Sequence, residues 1–173
     1  MDADDISCAG RFEKQVEFLD SKKEYILVGT FMKIIDETGH EINHWDADIS
    51  NDEIKENLIK YNPMFHPTIM VRKSVLLSVG GYNENWRYAQ DYELYFRLVD
   101  LGKMYNLPEY LVKYRFSKNS ITASKNTKQS LCALLAMWSG IKHGHYPWYK
   151  VVYLVRPIVG IVLPKFFKDL YKQ

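Results

Sequence analysis

The stretch Gly80-Gly81-Tyr82-Asn83-Glu84-Asn85-Trp86-Arg87-Tyr88-Ala89-Gln90-Asp91-Tyr92-Glu93-Leu94-Tyr95-Phe96-Arg97 holds a tight turn and then a helix start. Leu94, Leu98 and Leu101 recur on one helical face ahead of Gly102, so the spacing predicts a helix over Asp91 to Leu101 with Asp91 in its first turn. The helix dipole holds a carboxylate ionised there, and an ionised Asp in a pocket can accept a hydroxyl proton. An ordinary N-terminal helix carboxylate has the same signature. Gly80-Gly81 is the only glycine pair in the chain. It ends a brief helix predicted from Ser74 and lets the backbone approach a ligand closely.

Outward from this stretch the order is mixed α and β. Phe12, Val16 and Leu19 recur at helical spacing and predict a helix over Ala9 to Leu19. Tyr25 to Ile35 is rich in β-formers, and the turn Asp36 to Gly39 leads into His40 to Trp45, which predicts a hairpin. Ser50 and Glu53 form a capping-box pattern for a helix over Asn51 to Tyr61, closed by Asn62-Pro63. Short strands are predicted at Thr68 to Arg72, Met104 to Asn106 and Leu111 to Arg115, and a further helix over Thr127 to His143.

At the N-terminus, Asp2-Ala3-Asp4-Asp5 places carboxylates two residues apart. Such a pair at a strand end can converge on a hard divalent cation, which shares its remaining sites with water and substrate phosphates. A solvated, frayed end is the bland alternative.

Composition narrows the classes. Apolar and aromatic residues make up 47% of 173, enough to bury a core and to exclude disorder over the whole length. Lys and Arg number 23 against 21 Asp and Glu, a balance that argues against a dedicated nucleic-acid binder. Cys8 and Cys132 form no CxxC pattern, which excludes a disulfide scaffold and a thiolate zinc site. Cys8 reads as a small packed residue and His143-Gly144-His145 as a helix end.

Six motifs stand in order: the Asp2-x-Asp4, Arg11-Phe12-Glu13-x-Gln15, Asn62-Pro63-x-x-His66-Pro67, Gly80-Gly81-Tyr82, Gln90-Asp91, and Leu111-Val112-x-Tyr114-Arg115. In this order, over residues 1 to about 122, the chain resembles the C-terminal half of a family 2 glycosyltransferase of the GT-A fold. The resemblance implies an α/β, nucleotide-diphospho-sugar transferase-like fold that is partial here, with residues 123–173 as a C-terminal helical extension. It implies a nucleotide-sugar donor (UDP- or GDP-sugar), a saccharide or glycolipid acceptor in cell-surface polysaccharide assembly, and transfer with inversion. Asp4 and Asp2 would hold Mn²⁺ or Mg²⁺ and the donor diphosphate, and Asp91 would be the general base. His66, Gly80, Gly81, Trp86 and Gln90 would contact substrate, with Trp86 and Tyr88 able to stack on a sugar ring. The family's nucleotide-gripping N-terminal half is expected outside this chain, which is expected to be inactive alone.

Two positions depart from the family pattern. Gln90 stands where Glu often precedes the base, which removes a like-charged neighbour of Asp91. Phe116 stands where many relatives have His, so no histidine metal ligand is expected there.

The tail carries its own signal. Residues 150–173 are net +4 and the rest net −2, and Val151 to Phe167 is strongly apolar but interrupted by Arg156, Pro157, Gly160, Pro164 and Lys165. It does not span a membrane. A broken helix packed on the domain and an interfacial segment on anionic headgroups both remain open. The expected location is cytoplasmic, with peripheral contact at the inner face of the cell membrane. Of the rivals, a non-catalytic acceptor-binding or membrane-contact module partnering a separate nucleotide-binding half stays open. A metal-dependent phosphohydrolase lacks further metal ligands.

Overall fold

The computed structural model describes residues 1–116 and 126–162. They form an α/β protein whose sheet runs in the order β1-β5-β2-β3, with β4 also on β2: β1 is Ile6–Ser7, β2 Tyr25–Ile35, β3 Glu41–Trp45, β4 Met70–Val71 and β5 Lys103–Arg115. β2 and β5 are parallel, and β3 and β4 run antiparallel to β2. A parallel pair needs a long crossover. Here it contains α2 (Asn51–Leu58), α3 (Lys73–Ser78) and α4 (Gln90–Leu98).

The described chain divides into two compact units. The first comprises Met1–Gly81 and the stretch from Arg97 through β5; the second comprises Tyr82–Phe96 and the helices after residue 125. The boundary expected at residue 122 lies outside the described residues.

In the first unit both faces of the sheet are covered: Leu27 and Val28, consecutive on β2 and so on opposite faces, are fully buried with Met104 and Val112, helix Arg11–Ser21 packs against β2, and α2 packs against β5 through Ile54 and Leu58. The capping box of α2 forms as its pattern predicts: Glu53 N donates to Ser50 Oγ at 3.3 Å and Ser50 N to Glu53 Oε2 at 2.9 Å. The helix stops at Leu58, short of Tyr61, because the amides of Lys60 and Tyr61 both turn back to Asn57 O.

Three further sequence expectations are corrected. β5 is one strand and not two: its pairing with β2 jumps from Leu107 to Tyr110, so Pro108, which has no amide to donate, falls in an irregularity the ladder tolerates. α1 runs Arg11–Ser21 and buries Arg11, Gln15 and Leu19, leaving Phe12 and Val16 exposed. The helix thus starts and ends two residues later than the expected Ala9 to Leu19, and its buried polar pair is satisfied by distant backbone. α4 ends at Leu98 and Leu101 is exposed, since a turn at Asp100 and Leu101 delivers Gly102 against Ile26, where a Cβ would meet Cγ2 at 2.4 Å.

In the second unit, α5 (Asn126–Lys142), a 3-10 segment (Trp148–Leu154) and α6 (Val155–Val162) pack together. Gly140 permits close approach to Phe96: a Cβ would lie 2.4 Å from the ring. Phe96 also meets Tyr146 edge-on, with centroids 5.9 Å apart. Residues 163–167 of the apolar tail lie outside the described residues. Among the described residues no helix is long and apolar enough to cross a membrane.

Candidate active site

In the first unit the three N-terminal carboxylates separate by task. Asp5 is buried; its Oδ2 accepts from Asp2 N at 3.1 Å and its Oδ1 from Arg115 N at 3.1 Å. Arg115 in turn donates through Nε to Asp4 O at 3.1 Å and through Nη1 to Asp36 O at 2.8 Å. The backbone of residues 2 to 5 is therefore pinned to the end of β5. Asp2 and Asp4 are exposed, and their carboxylates have no hydrogen-bond partner among the described residues.

Beside this turn, Arg11 reaches Met1 Sδ at 3.3 Å, Gln15 Oε1 at 3.0 Å and Pro67 O at 2.9 Å. Burial pulls its guanidinium below the ordinary value, while the nearby Cys8 and Asp5 act the other way. Gln15 passes the chain on, donating to Val28 O at 3.0 Å and Thr68 O at 2.8 Å. Thr68 Oγ1 accepts from Thr30 N at 3.1 Å and donates to Phe65 O at 2.8 Å. The structure thus brings together the Asp-x-Asp turn, the start of α1 and the 3-10 turn His66–Thr68, with His66 exposed.

Asp5, Arg11, Gln15 and Arg115 position this site. The sequence quotes three of them in motifs, but the role of Asp5 emerges only with its two amide donors.

Gly80 and Gly81 close α3. Gly80 N donates to Leu77 O and Gly81 N to Leu76 O, both glycines at positive φ (78° and 72°), the paired bonds of a left-handed helix terminus. Open space surrounds both Cβ positions.

In the second unit, Trp86 is half-buried and its amide donates to Asn83 O at 3.0 Å. Ala89 takes a left-handed φ of 52° and its carbonyl accepts from Glu93 N, which starts α4 with Gln90 exposed and Asp91 half-buried in the first turn. Three tyrosines feel the Asp91 charge. Burial first, then Asp91, pushes Tyr82 up; Tyr95, wholly buried, is pushed well up by burial, Asp91 and Tyr82. Tyr92 is raised by burial and Tyr146, with Asp91 adding and Arg156 opposing. The Tyr95 hydroxyl has no hydrogen-bond partner among the described residues. Asp91 is therefore a carboxylate set among phenol groups at a helix N-terminus, an arrangement that can take a proton from a hydroxyl.

The family model for glycosyltransferase-like family 2 matches residues 1–171. The chain belongs to that family. Its α/β build is that of a GT-A-like glycosyltransferase domain. Relatives include the amylovoran biosynthesis glycosyltransferase AmsE of Erwinia amylovora, 29% identical over 100% of this chain and 65% of that protein. The glycosyltransferase EpsE of Bacillus subtilis, named as putative, is 28% identical over 99% of this chain and 62% of its own length. The O-antigen biosynthesis glycosyltransferase WbnJ of Escherichia coli is 32% identical over 72% of this chain and 49% of its own length. The chain therefore spans less than two thirds of the length of these relatives.

Among the described residues no three His, Cys, Asp or Glu side chains gather where they could hold a metal ion. Asp2 and Asp4 fit a cation only in an open manner, as two carboxylates supplemented by phosphate oxygens and water, which is how Mg²⁺ is usually bound beside nucleotides.

Proposed function

We propose that this chain supplies the diphosphate and acceptor side of an inverting glycosyltransferase that moves a sugar from a nucleotide-sugar donor to a saccharide or glycolipid acceptor in cell-surface polysaccharide assembly. The observation that carries this reading is the division of labour at the N-terminus: Asp5 is consumed by two backbone amides while the Asp2 and Asp4 carboxylates stay outward and unpartnered among the described residues.

Asp4, with Asp2 beside it, would hold Mn²⁺ or Mg²⁺, which when bound offsets charge on the departing diphosphate. Asp91 takes the acceptor proton as the acceptor oxygen bonds to the anomeric carbon, and the bond from that carbon to the diphosphate oxygen breaks. One displacement inverts the centre. His66, Gly80 and Gly81 in the first unit and Trp86 and Gln90 in the second would contact substrate, Trp86 offering an indole face to a sugar ring. Peripheral contact with the inner face of the cell membrane belongs to the same reading, because a glycolipid acceptor is presented there.

The test is nucleoside diphosphate release from a panel of UDP- and GDP-sugars with Mn²⁺, using this chain alone and joined to the nucleotide-binding half of a relative. Acceptor-dependent release only by the joined protein is expected. Release by neither, with both folded, would favour the second reading, a non-catalytic acceptor-binding or membrane-contact module.

A further inference from the structure

The second unit has a well-formed interior, with Ala136, Met137, Tyr146 and Leu154 buried, yet its helices leave large apolar side chains in solvent. On α5, Leu131, Leu135 and Trp138 are each about half exposed and, spaced four and three residues apart, share one helix face. Along the 3-10 segment and α6, Trp148 is 79% exposed, Val152 60% and Val155 54%. Monomeric soluble domains seldom leave so much apolar surface bare without a use for it.

Charge identifies the occupant. From residue 126 to residue 162, the described helices of the second unit, the sequence contains no Asp or Glu and four cations, Lys128, Lys142, Lys150 and Arg156. A second copy fits poorly, since a two-fold interface sets the same patch against itself and would oppose cation to cation with no carboxylate between them. An anionic bilayer fits on all counts. Trp and Tyr with aliphatic neighbours suit the headgroup boundary, lysines suit the lipid phosphates, and no described helix is long enough to span.

We propose that the exposed apolar face of α5, the 3-10 segment and α6 is a lipid-binding surface that lays the second unit on an anionic membrane leaflet, Trp148 entering the headgroup region. The inference rests on the proposed transferase reading only for the choice of an inner leaflet. Binding is read without donor or acceptor, so lipid binding and turnover can fail separately.

The full chain is sedimented with vesicles of phosphatidylcholine, alone or mixed with phosphatidylglycerol, and its tryptophan emission is followed with brominated lipid. Wild type should sediment with the anionic vesicles, weaken in high salt, and lose emission to the bromine label. Lys142→Glu with Lys150→Glu should lower affinity by about 25-fold or more, at about fivefold per cation. Trp148→Ser with Val152→Ser and Val155→Ser should lower it by about tenfold or more, and Trp138→Phe with Trp148→Phe should remove most of the quenching. Should the triple variant not keep the wild-type circular dichroism, the charge pair and the quenching decide. Equal binding to neutral vesicles, unchanged binding by the charge pair, or a soluble dimer dispersed by the triple variant would overturn the proposal.

Discussion

In the first unit buried side chains bridge distant backbone: Gln15 donates to the Val28 and Thr68 carbonyls, and Asp5 accepts from the Asp2 and Arg115 amides, while Ser7 Oγ and Asn106 Oδ1 have no partner among the described residues. In the second unit, beside the buried Glu93, tyrosine hydroxyls are set among rings, and that of Tyr95 has no partner among the described residues. Directional bonds fix the backbone to within a hydrogen-bond length, whereas ring packing fixes volume and leaves orientation freer. The cation-binding carboxylates proposed at Asp2 and Asp4 thus stand on a tightly specified turn, and the base proposed at Asp91 stands in a phenol-lined setting that tunes its surroundings.

The largest effect should come from ring packing. Phe96→Ala removes the ring against Gly140 and Tyr146 and should cost about 3–5 kcal/mol. Hydrogen exchange should show protection lost first in α5 and the 3-10 segment; equal loss across β2 and β5 would mean that the units do not unfold separately.

A pair of substitutions on α1 probes the other side of the contrast. Gln15→Ala strands the arrangement that joins Val28, Thr68 and Arg11 and should cost about 1–3 kcal/mol in urea denaturation. Val16→Ser, one residue on but exposed, should stay within about 0.5 kcal/mol. Equal costs would show that the apolar periodicity, and not the polar pairs, seats this helix.

A smaller effect is expected from alkali. Tyr92 and Tyr95 are held above the ordinary 10.0 in the fold, so an unfolded chain loses these protons first as pH rises. Their contribution is complete below pH 10.0 and is lost above it as the pH climbs toward the raised native values. In the first unit the half-exposed Tyr61, pushed up to about 12 by burial and by Asp48, should ionise within the folded state. Tyr95→Phe should be neutral or slightly stabilising at neutral pH, since it deletes an unpartnered hydroxyl, and should flatten the alkaline loss. Absorbance of ionised tyrosine and circular dichroism against pH measure both.

What could be read from the sequence follows the range of the interactions. The capping box at Ser50 and Glu53 and the glycine terminus of α3 are local, and both form as their patterns predict. The inward face of α1 was not legible because Gln15 is satisfied by Val28 and Thr68, far along the chain. The continuity of β5 was hidden by Pro108, which reads as a breaker until the register with β2 is known. Asp5 looked like a third member of an acidic end; only its amide from Arg115, 110 residues away, marks it as a support. The six motifs carried the family, and the match over residues 1–171 bears that out, while the division into two discontinuous units has no local signature.

The central claim is that Asp4 serves the donor and Asp91 the acceptor proton. In the protein joined to a nucleotide-binding half, titration calorimetry of the nucleotide sugar with Mn²⁺, paired with turnover on the same samples, separates the two roles. Asp4→Ala should weaken Mn²⁺-dependent donor binding by about tenfold or more. Asp91→Asn should leave that binding nearly unchanged while turnover falls by about 10² to 10⁴. Loss of donor binding in Asp91→Asn, or full turnover in it, would contradict the assignment.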